Sequence, residues 1–435
     1  MTRLASTLAA LSLTALASAA QAATAPRCSL KIASDADLAG HPGFADMPAG
    51  ATVCIAPGTY RRQLTIAGIQ ATASTPVSFV VWPDTGPARF TAGVLLRGAS
   101  GVTVAGLDVT QDARLGPGSS VTIDVGSHDN VVRGLTVHDA YVGISIGSSA
   151  GAAGPGNQVL ENVVRDSWNT GIAVGELSDG TAQDANLIAR NRVTNSGGHG
   201  IEINDSNYIA VRDNIVSGSG TGVNSVRQGG YSGIHLYSRE ASTPGSPHGI
   251  RTAHDLISGN HVDGTHERPA TQHCDDGSGS GACTDGNGIQ VDRFASFDDV
   301  IGNTVSGNAG AGISIYGASN NRVLDNIVRG NNQQVERRRY FPGPGEIAVS
   351  AVNLPSGSTR GNTIARNTAT TTVNKIPAFY LSTNAGPNQV ESSNRWLQDE
   401  QSNPGYFWGP VYIGDKWYSA SDATRVFDEL SGAKK

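Results

Sequence analysis

A six-residue pattern, V/I-x-x-Asn-x-V/I, recurs along the middle of the chain and limits the fold more than any other feature. It is clear in the segments 159–164 and 211–216, which carry Asn162 and Asn214. Other full copies begin at Ile188, Ile257, Val300 and Val323, a degenerate copy begins at Ile364, and earlier copies near Val104 and Val132 have other residues at the asparagine position. Units that repeat in this way are typical of solenoids, in which each repeat packs on its neighbours.

A second pattern follows each asparagine pattern after a loop of variable length. It reads Gly-Ile-x-Ile, Val or Leu, as in the segment from Gly200 to Ile203. Its copies begin at Gly143, Gly171, Gly200, Gly233, Gly288 and Gly312, and Glu346 starts a copy without the glycine. Alternation of apolar residues with a period of two predicts β-strands. We therefore predict two strands in each repeat, with no helix between them.

Short strands repeated in this way predict an all-β chain folded as a right-handed parallel β-helix. Each coil stacks on the next, so that the apolar positions share one core. A right-handed coil is expected because parallel crossovers are almost always right-handed. The recurrent asparagine predicts a ladder of amides inside a turn, each hydrogen-bonded to the next. Asparagine in solvent-exposed turns is the alternative.

These asparagine-bearing repeats resemble those of the pectate-lyase-like right-handed β-helix proteins, over roughly residues 51–369. The segment 53–60, Val-Cys-Ile-Ala-Pro-Gly-Thr-Tyr, also resembles the first coil of that group. The group includes polysaccharide lyases, glycosidases, uronate epimerases and phage tailspikes. The resemblance therefore implies the fold and a carbohydrate ligand, but not one reaction, and the signatures of pectate lyases and alginate epimerases are not evident.

The start of the chain has the features of an export signal. Arg3 supplies a positive charge, residues 8–17 form an apolar run, and residues 20–22 form a small-x-small cleavage site. The apolar run is too short to span a bilayer, and no later segment is long enough. We expect a secreted or periplasmic protein, cleaved near Ala22, without a membrane partner.

The four cysteines all lie beyond this signal. An even number in an exported chain favours two disulfides. We predict the pairs Cys28–Cys54 and Cys274–Cys283, which are close in sequence. A zinc site built from the four cysteines is the weaker alternative, because the chain contains no C-x-x-C pair.

The segments expected along the chain are a signal peptide at 1–22, an N-terminal cap at 23–50, the β-helix at 51–370 and a C-terminal capping segment at 371–435. Caps are needed because an open coil exposes its core and its strand edges. Within the last segment, residues 407–418 predict an aromatic hairpin and residues 421–430 a short helix. A formal net charge of −6 without a Lys/Arg cluster argues against a nucleic-acid partner. The sequence does not indicate an oligomeric state.

Stacking the second pattern from coil to coil predicts which side chains share the outer face. The first outward column reads Ser145, Ala173, Glu202, His235, Gln290, Ser314 and Ala348, and the next reads Gly147, Gly175, Asn204, Tyr237, Asp292, Tyr316 and Ser350. Small residues occupy both ends, and residues capable of chemistry occupy the middle. We interpret the middle as a functional patch, with a solvated polar face as the alternative. The longest loops, 218–230, 238–254 and 263–287, flank the same coils and would wall a groove.

The patch suits the chemistry of an acidic sugar. The catalytic candidates are His235, Tyr237, Glu202, Asp292 and Arg293, and the substrate-binding candidates are Asn204, Arg239, Gln290, Tyr316, Tyr231 and His199. Histidine can act as a base near neutral pH, tyrosine or histidine as an acid, and arginine can bind a carboxylate. Local salt bridges to Asp292 and Glu240 are the alternative for Arg293 and Arg239.

Three enzymatic reactions fit these residues. We expect β-elimination on a uronate-containing polysaccharide as the leading one. An inverting glycoside hydrolase or glycan transferase that uses Glu202 and Asp292 is the second, since strand spacing puts them about 10 Å apart. A uronate C5-epimerase would use the same residues as the lyase. A non-catalytic glycan-binding β-helix is the non-enzymatic alternative, and it predicts aromatic platforms along the groove.

The loop closed by Cys274 and Cys283 contains Asp275, Asp276 and Asp285. Carboxylates in a glycine-rich loop could hold calcium through oxygen ligands. The spacing does not match an EF-hand, so an ordinary acidic loop is the alternative. No other cofactor is indicated.

Overall fold

The computed structural model describes residues 27–82, 86–111, 118–175, 177–221, 231–239, 252–266, 286–333, 344–373, 375–399 and 409–430. These residues form three long sheets, and each coil adds one parallel strand to each sheet. We number the sheets 1 to 3 in the order in which a coil passes through them.

Sheet 1 contains the strands Leu30–Ile32, Thr52–Ile55, Val77–Val81, Val102–Ala105, Val131–Arg133, Gln158–Leu160, Asn186–Ala189, Ile209–Arg212, Leu256–Ser258, Asp299–Ile301, Arg322–Leu324, Thr363–Ala365 and Gln389–Val390. Sheet 2 contains Gly58–Tyr60, Ala88–Phe90, Asp108–Thr110, Thr136–His138, Val163–Arg165, Arg192–Thr194, Ile215–Ser217, His261–Asp263, Thr304–Ser306, Ile327–Arg329, Thr368–Thr371 and Arg395–Gln398. Sheet 3 contains Leu64–Ala67, Val94–Arg97, Ser119–Asp124, Val142–Ile146, Ile172–Val174, Ile201–Asn204, Ile234–Tyr237, Ile289–Val291, Ile313–Tyr316, Ile347–Ser350, Phe379–Leu381, Val411–Ile413 and Lys416–Tyr418. The helices are Asp35–Gly40 and Ala420–Leu430.

The predicted class, an all-β right-handed parallel β-helix, is confirmed by this architecture. Inward-facing aliphatic residues of the three sheets form one continuous core, in which Val159, Val164 and Ile172 of a single coil are all inaccessible to solvent. Stacking of identical positions lets each coil bury the apolar face of its neighbour. The outward residues of every strand are therefore held in fixed columns.

The prediction of two strands per repeat is wrong, because each coil contains three. The asparagine pattern spans two of them: Gln158–Leu160 lies in sheet 1, Val163–Arg165 lies in sheet 2, and Asn162 lies at the corner between them. The residue before this asparagine, Glu161, has a left-handed backbone with a φ of 58°. That turn separates two strands of three residues each, which are too short to show their own alternation in the sequence.

The asparagines at this corner form the predicted ladder. Asn162 Nδ2 donates to Asn191 Oδ1 at 2.9 Å, and Asn191 Nδ2 donates to Asn214 Oδ1 at 3.0 Å. The ladder runs through Asn162, Asn191, Asn214, Asn260, Asn303, Asn326, Asn367 and Asn394. The side chains also bond to backbone groups of adjacent coils, as Asn162 Nδ2 does to the carbonyl of Val132. These bonds satisfy polar groups that are buried in the corner.

A second ladder, at the corner that leads into sheet 1, contains two aspartates among its asparagines. Asp255 Oδ1 accepts from the amide of Ile209 at 2.7 Å, Asp298 Oδ1 accepts from the amide of Asp255 at 3.0 Å, and Asn321 Oδ1 accepts from the amide of Asp298 at 2.9 Å. The second carboxylate oxygen of each aspartate is buried with no hydrogen-bond partner. Burial, followed by the charge of Asp298, holds the pKa of Asp255 well above its usual range. Burial likewise raises the pKa of Asp298.

Replacing Asp255 or Asp298 by asparagine should therefore stabilise the fold at neutral pH, by about 1–3 kcal/mol in the free energy of unfolding. A raised folded pKa means that the folded state retains protons that the unfolded chain has lost. Stability of the wild type then falls as pH rises above the ordinary aspartate value of 3.8. Denaturant unfolding at acidic and alkaline pH should show a larger gain at the alkaline pH. Asp213→Asn, at an exposed position, is the matched control, and an equal gain in it would contradict the explanation.

Both ends of the β-helix extend beyond the expected interval of 51–370. Leu30–Ile32 pairs in parallel with Thr52–Ile55, and the disulfide Cys28–Cys54 joins the same two segments with a Cα–Cα distance of 5.5 Å. At the other end, Val411–Ile413 continues sheet 3, and Lys416–Tyr418 pairs with it in an antiparallel hairpin. The first disulfide and the hairpin are thus confirmed. The predicted signal peptide and Cys274–Cys283 lie outside the described residues.

The described helices are short and polar. None of them has the length and the apolar character that crossing a membrane requires.

Candidate functional site

Sheet 3 brings the predicted outward residues together. Glu202 pairs in register with His235, and His235 pairs with Gln290, in three successive coils. Asn204 pairs in the same way with Tyr237. Because neighbouring strands lie about 4.8 Å apart, these side chains share a small area of one sheet face. The register therefore produces the patch that the sequence columns predicted.

His235 is oriented by a carboxylate. Its Nε2 lies 3.2 Å from Asp292 Oδ2, and the same oxygen accepts from Gln290 Nε2 at 3.1 Å. Gln290 is in turn held by Ser232 Oγ and Asn287 Nδ2, which donate to its Oε1 at 3.0 and 2.7 Å. A carboxylate that accepts from Nε2 places the lone pair of the neutral imidazole on Nδ1. Asp292 and Gln290 thus position His235 in a site that is almost fully buried.

His199 stacks on His235 and is held in one tautomer. The two rings are nearly parallel, at 6°, with centroids 4.2 Å apart. The backbone amide of Ser232 donates to His199 Nδ1 at 3.1 Å, so the neutral ring carries its proton on Nε2. Burial, and then the neighbouring His235, hold the pKa of His199 well below its usual value. His199 is therefore neutral at physiological pH. Tyr231 packs edge-on against it.

Glu202 lies beside the two histidines and is partly exposed. Its Oε2 accepts from Thr170 Oγ1 at 3.2 Å. Ligand atoms of Glu202, His199 and His235 all lie within 4.8 Å of one another. This group forms one edge of the site, at the start of the strands of sheet 3.

Tyr237 and Arg293 lie at the other edge, where the strands end. The ring of Tyr237 stacks on His235 with a centroid distance of 5.9 Å. Burial raises the pKa of Tyr237, Asp292 and Asp205 raise it further, and Arg293 opposes them. Tyr237 is thus a protonated phenol at neutral pH. Arg293 is exposed, which suits it to bind an anion from solvent.

The remaining candidates differ in what they contact. Arg239 donates from Nε to Asp205 Oδ2 at 2.9 Å, and Glu240, its expected alternative partner, lies outside the described residues. Tyr316 is buried, and its hydroxyl donates to the carbonyl of Val352 at 2.9 Å. Asn204 Oδ1 is buried with no hydrogen-bond partner among the described residues, and a substrate hydroxyl could satisfy it.

Several residues of this network were not predicted from the sequence. Thr170, Ser232 and Asn287 precede their strands, so the columns of alternating residues do not include them. Their position directly before each Gly-Ile pair is the signal that could have identified them. Asp275, Asp276 and Asp285, predicted as calcium ligands, lie outside the described residues, and calcium binding stays a prediction.

Comparisons with known proteins place the fold. Residues 79–243 match a family model described as periplasmic copper-binding protein (NosD), which covers less than half of the chain. No curated protein is significantly similar to the sequence. The chain is similar in structure to the Dettilon tailspike protein (gp208), with 17% identity and a TM-score of 0.57 over 87% of this chain and 64% of that one. It is also similar to the A-module of the mannuronan C-5 epimerase AlgE4 of Azotobacter vinelandii, with 14% identity and a TM-score of 0.53 over 88% and 92% of the two chains.

These likenesses agree with the sheet topology on one class of protein. The chain has the fold of the pectate-lyase-like right-handed parallel β-helix proteins. It spans less than two thirds of the tailspike protein, and at these identities the comparison shows the fold alone.

The name of the matched family raises the question of copper, and the matched segment contains His199, Glu202 and His235. Imidazole and carboxylate ligands suit copper or zinc. Their arrangement does not, because a metal bound through two imidazoles must lie in the plane of each ring, and these rings are nearly parallel with centroids 4.2 Å apart. In addition, His199 uses the Nδ1 lone pair to accept from Ser232 and carries a proton on Nε2, so neither nitrogen is available to a metal. The three residues do not fit a metal centre.

A copper titration followed by calorimetry should find the same binding in the wild type and in His199→Ala. Any weak binding should come from exposed histidines, so His254→Ala is the matched control. A stoichiometric site that is lost in His199→Ala and retained in His254→Ala would contradict this interpretation.

Proposed function

We propose that this protein is an exported enzyme that cleaves a uronate-containing polysaccharide by β-elimination at the outer face of sheet 3. The observation that carries the proposal is the His235–Asp292 pair, 3.2 Å apart, stacked beside a tyrosine that stays protonated. The pair supplies an oriented base, and the phenol supplies an acid, on the same face of the sheet. The disulfide Cys28–Cys54 supports export, because such bonds persist in oxidising compartments.

These positions support one sequence of steps. His235 removes the proton from C5 of the uronate through Nδ1, a buried atom that the sugar reaches only by displacing a neighbouring side chain, and the electron pair forms the double bond between C4 and C5. The bond from C4 to the glycosidic oxygen breaks, and the Tyr237 hydroxyl gives its proton to that oxygen. Arg293 pairs with the uronate carboxylate, which stabilises the charge that develops next to C5. His199, locked as a neutral Nε2–H donor, can bond to an oxygen of the same sugar.

Hydrolysis by Glu202 and Asp292 has less support. Asp292 already accepts hydrogen bonds from His235 and Gln290, so it is occupied as a positioning group. The two carboxylates are two coils apart, and Asp292 lies two residues further along the strand direction, so their Cα atoms are separated by about 12 Å. The carboxyls can lie closer than this, within the range of about 6.5–9.5 Å that an inverting pair needs, because both reach His235, so the occupation of Asp292 and not the separation disfavours hydrolysis.

Epimerisation is the second candidate, favoured by the likeness to a mannuronan C-5 epimerase module. It would share the removal of the C5 proton and would return a proton from the opposite face of the sugar. His235 and Tyr237 both project from sheet 3 and approach from one face, which supports elimination. Calcium held by the loop of Asp275, Asp276 and Asp285 is retained as a proposal.

The first test is product analysis on a panel of acidic and neutral polysaccharides, with and without a calcium chelator. A lyase produces ultraviolet absorbance from unsaturated uronate ends together with new reducing ends. Reducing ends without absorbance would overturn the proposal in favour of hydrolysis. Proton exchange at C5 without cleavage would point to the epimerase, and a loss of activity with chelator would implicate calcium.

His235→Ala and Tyr237→Phe should each lower kcat by about 10²–10⁴-fold, the range typical of general acid–base groups. KM should change little, because Arg293 and Asn204 still hold the sugar. Initial rates from absorbance measure both constants. His254→Ala and Tyr208→Phe, outside the patch, are matched controls. Equal losses in the controls would show that the effect is structural.

Asp292→Asn and Glu202→Gln should show whether the site needs a carboxylate that orients His235 or a carboxylate that itself carries the chemistry. Asp292→Asn removes the group that orients His235, and kcat should fall by about 10²-fold or more. Glu202→Gln keeps the bond from Thr170 and should cost less than about tenfold. If Glu202→Gln is the inactive variant, Glu202 rather than His235 carries the chemistry and the lyase mechanism is wrong.

A further inference from the structure

A pocket lies beside the catalytic patch, at the corner between sheet 2 and sheet 3. It has a volume of about 330 Å³, near the lower end of the range for small-molecule sites. Its lining contains the aromatic residue Trp168 together with Asp139, Asp166, Asn195, Gly197 and Thr221. Trp168 precedes Thr170, the partner of Glu202, by two residues, or about 7 Å of extended chain. The pocket therefore adjoins the patch at the start of the strands of sheet 3.

The neighbour of Trp168 in the following coil is a glycine, and the close approach of the two backbones requires one there. In the preceding coil, Trp168 is opposed by Tyr141, as the hydrogen bond from the Trp168 amide to the Ala140 carbonyl shows. In the following coil the neighbour is Gly197, where an added Cβ would lie 2.1 Å from the carbonyl oxygen of Trp168. No side chain can occupy that position without moving the main chain. The ring is thus left without a side chain from Gly197 above it.

Trp168 is also only half-buried, and its indole N–H makes no hydrogen bond to any described residue. Tryptophan combines a large apolar face with one donor, and the donor is usually paired when the ring is covered. A pyranose presents C–H bonds on one face and hydroxyls at its edge, which matches an aromatic ring beside polar acceptors. The aromatic surface that a glycan-binding groove requires is therefore present here.

The polar lining favours an uncharged sugar over an anionic one. Asp139 and Asp166 are acidic, and the lining contributed by the described residues includes no lysine or arginine. The guanidinium of Arg165 is already bonded to Asp166 at 2.8 Å, and His138 lies 2.6 Å from Asp139. A uronate carboxylate in this pocket would face these carboxylates without a cation of its own. Hydroxyl groups, in contrast, can donate to the carboxylates and to the amide oxygen of Asn195.

We propose that the Trp168 pocket is a subsite for an uncharged pyranose. This inference rests on the proposed function. It means that the substrate is a heteropolysaccharide, in which an acidic sugar at the patch adjoins a neutral sugar at Trp168. A homopolymer of uronates would place a carboxylate in the pocket. The pocket thus selects for the composition of the chain, and the patch performs the reaction.

The experiment observes the indole N–H signals of the ¹⁵N-labelled full chain by NMR. The Trp168 signal is the one absent in Trp168→Phe. The probes are neutral tetramers of glucose, mannose and galactose, and uronate tetramers of mannuronate and galacturonate. We expect at least one neutral tetramer to shift the Trp168 signal saturably, at least about tenfold more tightly than either uronate tetramer. Calorimetry, which does not need the Trp168 signal, should show that Trp168→Ala loses this binding and that Ile327→Ala, a change at an exposed apolar residue on sheet 2, retains it.

Failure of all neutral tetramers to shift the signal would overturn the subsite. A uronate tetramer that shifts it equally or more tightly would overturn the assignment to a neutral sugar. The measurement needs no turnover, so it is independent of the lyase reaction. If neutral tetramers bind at Trp168 and no polysaccharide is cleaved, the proposed function fails while the subsite stands.

Discussion

The structure depends on the satisfaction of buried amides at the corners of the coil. A chain that turns sharply three times per coil leaves backbone groups inside each corner with no strand partner, and an unpaired buried group is costly. The ladder from Asn162 to Asn394 supplies those partners with side chains that also bond to one another. Asparagine suits the position because one short side chain carries both a donor and an acceptor. An aspartate at this position, as at Asp255 and Asp298, keeps the acceptor and loses the donor. Its second oxygen is then buried without a hydrogen bond. A negative charge there is unfavourable, and burial raises the pKa of both aspartates.

The same ladder fixes the functional site from a distance. With the corners locked in register, Glu202, His235 and Gln290 must lie side by side on sheet 3. The rigid frame brings residues that are 57 positions apart in sequence, such as His235 and Asp292, within hydrogen-bond distance. It also explains why the site has a preformed network of Gln290, Ser232 and Asn287 behind it: the backbone that carries them has little freedom to move.

Much of this was predictable from the sequence because the fold is periodic. The columns of alternating residues placed Glu202 beside His235 and Asn204 beside Tyr237, and the structure agrees. The third strand was missed because a three-residue strand such as Val163–Arg165 directly after a corner has no alternation of its own. The roles of Asp292 and Arg239 were not predictable, because a column gives neighbours on a face and not the direction of a carboxylate or a guanidinium. Trp168 was not predicted as a binding residue for a related reason: the accessibility of its ring depends on Gly197 in another coil.

The two edges of the patch carry charges of opposite sign. Arg293 is exposed where the strands of sheet 3 end, whereas Asp139 and Asp166 are found at the corner where those strands begin. In the proposed function a uronate carboxylate pairs with Arg293 at the first edge, whereas the carboxylates at the second edge are already bonded to Arg165 and His138. The stacked rings of His199, His235 and Tyr237 lie between these edges. The strands of sheet 3 that place Tyr237 beside His235 therefore also separate Arg293 from Asp139 and Asp166.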